Sequence, residues 1–341
     1  LSNRNLIING AMNIAQRGTS FTVSDDFTLD RYKFKIAGGG AATITQSSTT
    51  PDDFSYSYKV DITTADTSVA NTDHGVIMHT VEGYNFAPAN FGSSAAKTCT
   101  LSFYVRSNKT GTYGVAFQNA AQNRSLIKEY TINSADTWER KSITISPDTG
   151  GSWDTTNGTG LKITWGLMGG STYATSDVGN YKSSNLFLTS NQVNLFDSTS
   201  NEWYITGVQV EVGSVATDFE HRSFAQELAL CQRYYYKILN ASSNSFFGMG
   251  NVDGSTQFQI GFTFPVQMRA APSSIDSSGA SNFLMRVRSN SSCTSFSIEK
   301  AETNTCFVMF INSGGHGFSD GDCAFIMSNG TNRFIAFNSE L

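Results

Sequence analysis

Charge is scarce in this chain. Asp, Glu, Lys and Arg make up only 15% of 341 residues, against roughly 25% in an average soluble protein. What charge there is leans acidic, with a formal balance of -5 and no basic cluster. A surface that tracks phosphates needs the opposite, so nucleic acid is excluded as the main partner. No apolar run is long enough to span a bilayer, so membrane insertion is not expected. Leu1-Ser2-Asn3-Arg4-Asn5 lacks the apolar core of a secretory signal. Histidine is rare as well: His74, His79, His221 and His316 are all there are. His74 and His79 stand five apart in a strand-like run, so they face opposite sides and make a poor metal pair. His221 falls in a turn, where a structural hydrogen bond is expected. The five cysteines are odd in number and show no CxxC spacing. Buried thiols are expected, the alternative being a disulfide from Cys293 to Cys306 or Cys323. Nucleophile elbow, HExxH, phosphate loop and paired-carboxylate motifs are all missing. Asp25-Asp26 and Asp52-Asp53 read as turns, which leaves Asp320-Gly321-Asp322 as the one D-x-D.

What is present is period-two alternation. Arg31 to Ile36, Ala42 to Gln46, Ser55 to Ile62, Val76 to Val81, Thr98 to Val105, Gly114 to Gln118, Lys128 to Ile132, Glu139 to Ile145, Leu161 to Leu167 and Trp203 to Val212 all read as strands. Asn5 to Gly10 adds a short apolar strand running into an Asn-Gly turn. Ten or so short strands between turn-rich loops imply a sandwich or barrel, not a parallel sheet with crossover helices. Beyond residue 238 the pattern resumes at Ser245 to Asn251, Thr256 to Phe264, Phe283 to Arg288, Thr294 to Ile298, Phe307 to Ile311, Cys323 to Met327 and Phe334 to Phe337. Phe258, Ile260, Phe262 and Phe264 alternate with polar or small residues, which fixes a buried face. No fixed-period repeat occurs, against a solenoid.

Between these β regions lies the one strong helix signal, Phe219 to Lys237. Ser223 and Gln226 have capping-box spacing. Phe224, Leu228, Cys231 and Tyr235 form an apolar stripe. Its cover is expected to be a sheet face or the same helix in a sister subunit, a seam at a threefold axis. The expected fold is therefore all-β: a jelly-roll-like sandwich over residues 1-215, a linking helix segment over 216-237, and a C-terminal sandwich over 238-341, which is expected to be the distal, receptor-binding domain. Three surface stretches are candidate binding sites. Asp148 to Gly160 and Gly169 to Ser184 are small and polar with isolated aromatics; they read either as mobile connections or as loops whose Trp153, Tyr173 or Tyr181 stacks on a sugar. Asn312 to Asp322 offers an aromatic plane in Phe318 and donors or acceptors in His316, Asp320 and Asp322. The same composition also suits a plain Gly-rich turn.

Three stretches carry a resemblance to a known family. Asn5 to Gly18 (NLIINGAMNIAQRG), Val212 to Lys237 with its ATDFEHR and CQRYYY runs, and Phe264 to Pro272 (FPVQMRAAP) are similar to tail-fibre proteins of bacteriophages, especially marine ones. They lie in the family's order across the chain. The resemblance implies a homotrimeric virion protein, assembled in the host cytoplasm, that meets a host surface glycan or protein and other phage tail proteins; that it is not an enzyme is expected from the missing catalytic motifs. A structural fibre or decoration protein, and a polysaccharide depolymerase, are the rival readings. Asn5 to Gly10, Leu101 to Arg106 and Trp203 to Glu211 also resemble strands of carbohydrate-binding-module jelly rolls, which implies a fold and, in such modules, often a structural calcium.

Overall fold

A computed structural model describes residues 4–287, 289–315 and 317–341. The chain divides into two units, one running to Glu227 and the other from Leu228 to Glu340. In the first, alternation becomes strand at each expected run. In chain order these are β1 (Tyr32–Ala37), β2 (Ala41–Ser47), β3 (Ser57–Thr64), β4 (His74–Glu82), β5 (Cys99–Ser107), β6 (Gly111–Gln118), β7 (Ser125–Ile132), β8 (Glu139–Ile145), β9 (Thr159–Gly169) and β10 (Glu202–Val212).

Two antiparallel sheets result. The first has the order β2-β3-β10-β5-β8, and the second β7-β6-β9-β4-β1. Two-residue strands, Ser20–Phe21 and Tyr181–Lys182, extend one edge of each, and Asp25–Phe27 extends the other edge of the second. From β1 to β10 the chain passes between the sheets seven times, the jelly-roll-like habit expected of so many non-consecutive neighbours. Inward residues of both sheets share one core: Phe34, Ile77, Trp165 and Phe117 from the second meet Phe103, Val105, Trp203 and Ile205 from the first. Phe103 and Trp165 touch edge to face across the gap, ring centres 6.1 Å apart.

Asn5 to Gly10 is not a regular strand. It runs beside β10 with two backbone bonds, Leu6 N–H to the Val210 carbonyl (2.8 Å) and Val208 N–H to the Gly10 carbonyl (2.9 Å), and side chains supply the rest. The Asn5 side chain accepts from Val210 N–H (3.1 Å) and donates to the Val208 carbonyl (3.2 Å). Arg222 donates to the carbonyls of Asn5 and Ile7. Glu220 accepts the Asn5 N–H, and Glu227 accepts the Asn9 N–H (2.5 Å). The opening stretch and the FEHRSFAQE stretch, more than 200 residues apart, are thus one clasp. Gly10 is required there, because a Cβ would lie 2.1 Å from the Val208 carbonyl oxygen.

The helix is shorter than the pattern implies, covering Phe224–Gln232. Its capping box is real: Gln226 N–H donates to Ser223 Oγ (3.4 Å) and Ser223 N–H to Gln226 Oε1 (3.1 Å). Beyond it the tyrosine run turns into strand β11 (Tyr235–Asn240), whose β-prone residues pair with the C-terminal strand. The expected seam therefore does not exist as one stripe. Phe224 is 62% exposed, Leu228 half-buried, Cys231 and Tyr235 buried.

The second unit adds β12 (Phe246–Asp253), β13 (Gln257–Thr263), β14 (Ser274–Ser277), β15 (Phe283–Arg286), β16 (Ser295–Ala301), β17 (Thr305–Ile311), β18 (Cys323–Ser328) and β19 (Arg333–Asn338). A three-stranded sheet, β11-β19-β14, faces a larger one ordered β15-β18-β12-β13-β17-β16, with the short strand Asn290–Ser292 added at its β15 edge. Phe258, Ile260, Phe262 and Phe264 all point into its core, as alternation requires. No disulfide joins any of the five cysteines. Cys293 and Cys306 are buried, and Cys323, expected inside, is exposed because it faces outward on β18.

Candidate functional site

The outer face of the second sheet is where polar chemistry gathers. Its outward positions follow from register: Lys33 lies opposite Met78 and Lys35 opposite Val76, while Thr164 and Lys162 of β9 meet Met78 and Thr80. Residues 170–192 return over one end of this face. Leu188 and Gln192 seat on Gly166, where a Cβ would come within 2.6 Å of the Gln192 amide oxygen and 2.8 Å of a Leu188 methyl. Leu188 and Thr189 are buried there, and within Gly169 to Ser184, the stretch that reads as a mobile connection, Gly170, Thr172 and Gly179 donate backbone bonds to Asp73, Asn71 and Ile127.

Between this seat and the lysines lies a groove of about 280 Å³. Its aromatic wall is Tyr173 stacked on Phe187, centroids 4.7 Å apart at 24°. His74 stands edge-on to both rings at 5.5 Å, its Nδ1 3.1 Å from the Thr72 carbonyl. Val76 and Met78 form an apolar floor, and Gln118, whose amide donates to Asn185 Oδ1 (2.9 Å), closes the far side. The Thr164 hydroxyl is buried without a hydrogen-bond partner. A buried hydroxyl without a partner is costly unless a ligand or water satisfies it. Burial, and secondarily the charges of Lys33 and Lys35, depress the Lys162 pKa. A flat hydrophobic wall beside amide and hydroxyl donors is the chemistry that holds a sugar ring.

Of the candidate ligand-binding residues named from the sequence, Tyr173 alone belongs to this groove. Trp153 is 7% exposed, packed edge-on against Phe91 with its indole N–H donating to Asp148 and to the Gly150 carbonyl. Tyr181 lies half-buried under the Arg124 guanidinium, its hydroxyl donating to the Ser146 carbonyl. Both are spoken for by the core and its rim. In the C-terminal loop, Phe318 packs against the core; Asp322 accepts from Ser319 N–H (3.0 Å), the local bond of a turn-forming aspartate, and Asp320 accepts from Gly254 N–H (3.1 Å) of a neighbouring turn. His316 lies outside the described residues. Lys33, Lys35, Lys162, Gln118, Asn185 and Phe187 were not singled out; the polar phase of three alternating strands marks the first four only in retrospect. No group of three or more His, Cys, Asp or Glu side chains placed to hold a metal occurs among the described residues.

A second cavity of about 510 Å³ lies among Phe54, Tyr104, Arg140, Phe219 and His221. Its rings are engaged with one another, Phe54 contacting Tyr104, Phe219 and His221 at 5.1–5.4 Å. Arg140 donates to the Thr217 carbonyl.

No family model and no curated protein matches the chain. Among solved structures it is similar to the enzymatically active domain of bacteriophage CBA120 tailspike protein 4, at 12% identity and TM-score 0.35 over 62% of this chain; the match spans 22% of that domain. It is also similar to a family 11 carbohydrate-binding module from Clostridium thermocellum in complex with a mixed-linked tetrasaccharide (9% identity, TM-score 0.30, 58% of this chain and 98% of that one). TmCBM61 in complex with β-1,4-galactotriose gives 10%, 0.31, 62% and 99%. Likenesses this distant carry no argument about what this chain binds.

Proposed function

We propose that the chain is a receptor-binding protein of a bacteriophage tail, a tail fibre that attaches the virion to its host by holding a surface glycan in the groove on the second sheet. The observation that carries the reading is the Tyr173–Phe187 stack lining one groove with the amides of Gln118 and Asn185. The phage setting, the homotrimer, assembly in the host cytoplasm and the neighbouring tail proteins rest on the resemblance of three stretches. Recognition is by complementarity: no carboxylate lines the groove, and glycoside hydrolysis needs two flanking the scissile bond.

The test is binding of the full chain to candidate host cells and to polysaccharide extracted from them. Tyr173→Ala with Phe187→Ala should weaken both by about tenfold or more, the usual cost of removing an aromatic anchor, while the thermal transition stays cooperative. Host binding equal to the parent's places the receptor site elsewhere. Release of reducing ends from the polysaccharide returns the depolymerase, and absence of binding to any host cell returns the structural fibre.

A further inference from the structure

The groove carries more positive charge than its architecture needs. Lys33, Lys35 and Lys162 line one cavity in a chain whose formal balance is -5. Asp25, on the adjoining edge strand, pairs with Lys33 (2.7 Å) and lies 3.7 Å from Lys35. Lys162 is different. It is half-buried, and only burial and the like charges of the other two lysines act on its pKa, both lowering it. No residue that lines the cavity carries a negative charge. An ammonium held partly out of water beside two of its kind destabilises the fold, and a structure that needed only bulk there would do better with methionine. An anion in the groove offsets that cost, since charge-assisted bonds are the strong ones.

We propose that the ligand of this groove is an acidic saccharide, with a carboxylate or sulfate that meets Lys162 while its ring lies against Tyr173 and Phe187. The proposal rests on the glycan-binding reading above and specifies its substrate class. A phosphate chain is disfavoured by the groove's small volume and by the acidic balance of the rest of the surface.

The experiment is calorimetric titration of the full chain with four defined probes: a galacturonate trisaccharide, its methyl ester, a sulfated galactose trisaccharide, and neutral galactotriose. At about 0.1 M salt one of the two anionic probes should bind at least about tenfold more tightly than its neutral counterpart. The preference should shrink at about 1 M salt, where screening shortens from about 10 Å to about 3 Å. Whichever anion binds identifies the source of charge. Lys162→Gln should abolish the preference and leave the weaker neutral binding, and Lys162→Met should unfold at a higher temperature than the parent, which shows that the variant folds. Equal binding of charged and neutral probes, lost in Tyr173→Ala, overturns the acidic ligand and leaves the glycan reading standing. Preference for the anion that survives Lys162→Gln overturns this site. Failure of all four probes at millimolar concentration, or tighter binding of a single-stranded oligonucleotide, overturns the proposal; the glycan reading falls with it only if Tyr173→Ala also leaves host-cell binding intact.

Discussion

His79 shows how one buried residue ties the fold to pH. It points into the core from β4, edge-on to Tyr32 with centroids 5.0 Å apart, its Nε2 3.1 Å from the Ile8 carbonyl. Burial, then the nearby Arg31 charge, lower its pKa to about 3, against the Ile8 bond that favours the proton. Between that value and the ordinary 6.5 the unfolded chain binds a proton that the folded chain refuses. Stability is therefore full above pH 6.5 and falls on acidification toward 3, by on the order of 1.4 kcal/mol per pH unit in that window. Urea unfolding at pH 7, 6 and 5 checks this. His79→Gln, which keeps a donor for Ile8 but cannot titrate, should flatten the dependence between pH 6.5 and 5, a range mostly above carboxylate titration. A parent with no slope there shows that His79 is not buried as described. The same five-residue spacing that makes His74 and His79 a poor metal pair puts His74 on the outer face against Tyr173 and Phe187, a consequence of strand parity alone.

At the scale of elements, alternation was the dependable signal and helical periodicity the misleading one. β13 carries Phe258, Ile260 and Phe262 inward at 0%, 1% and 5% exposure, with Gln259 on the other face bonded to Asp253 and Glu299. Phe262→Ala should cost about 3 to 5 kcal/mol by cavity formation. Gln259→Ala should lie within about 0.5 kcal/mol of the parent, as surface changes do. Chemical denaturation of the two variants compares them directly, and equal losses would mean that the register is slipped by one. The tyrosine run misleads because Tyr234, Tyr235 and Tyr236 fit a helical stripe and a β pattern equally. What ends the helix at Gln232 is tertiary: Tyr235–Asn240 finds a partner in Arg333–Asn338, nearly a hundred residues on. Asn5 to Gly10 errs in the other direction, being apolar enough for a strand yet held by Asn5 and Arg222 side chains.

At the scale of the whole molecule the prediction concerns how many chains assemble. The proposed trimer predicts a light-scattering mass near three times the 37.0 kDa of one chain at micromolar concentration; a mass near one chain sinks it. The helix stripe is no longer the face to examine, since Cys231 and Tyr235 are buried within their own chain. Exposed apolar side chains lie instead on the outer face of the larger C-terminal sheet, where Met249 is cross-strand from Phe325 and Phe246 packs on it.

The sequence by itself determined the class of fold, because period two is a local property that every strand carries in its own residues. Each of the ten main strands of the first unit, the inward face of β13 and the cap at Ser223 followed from neighbours a few positions apart. Tertiary structure alone decided the site. Lys33, Lys35, Thr164 and Gln118 are ordinary outward residues of separate strands, and they become a groove only when β1, β4, β9 and β6 lie side by side and residues 170–192 close one end. Aromatic residues in polar loops looked alike in sequence, and packing sorted them: Trp153 had a core to fill, Tyr181 a guanidinium to cover, and Tyr173 was left against Phe187 at the edge of open space.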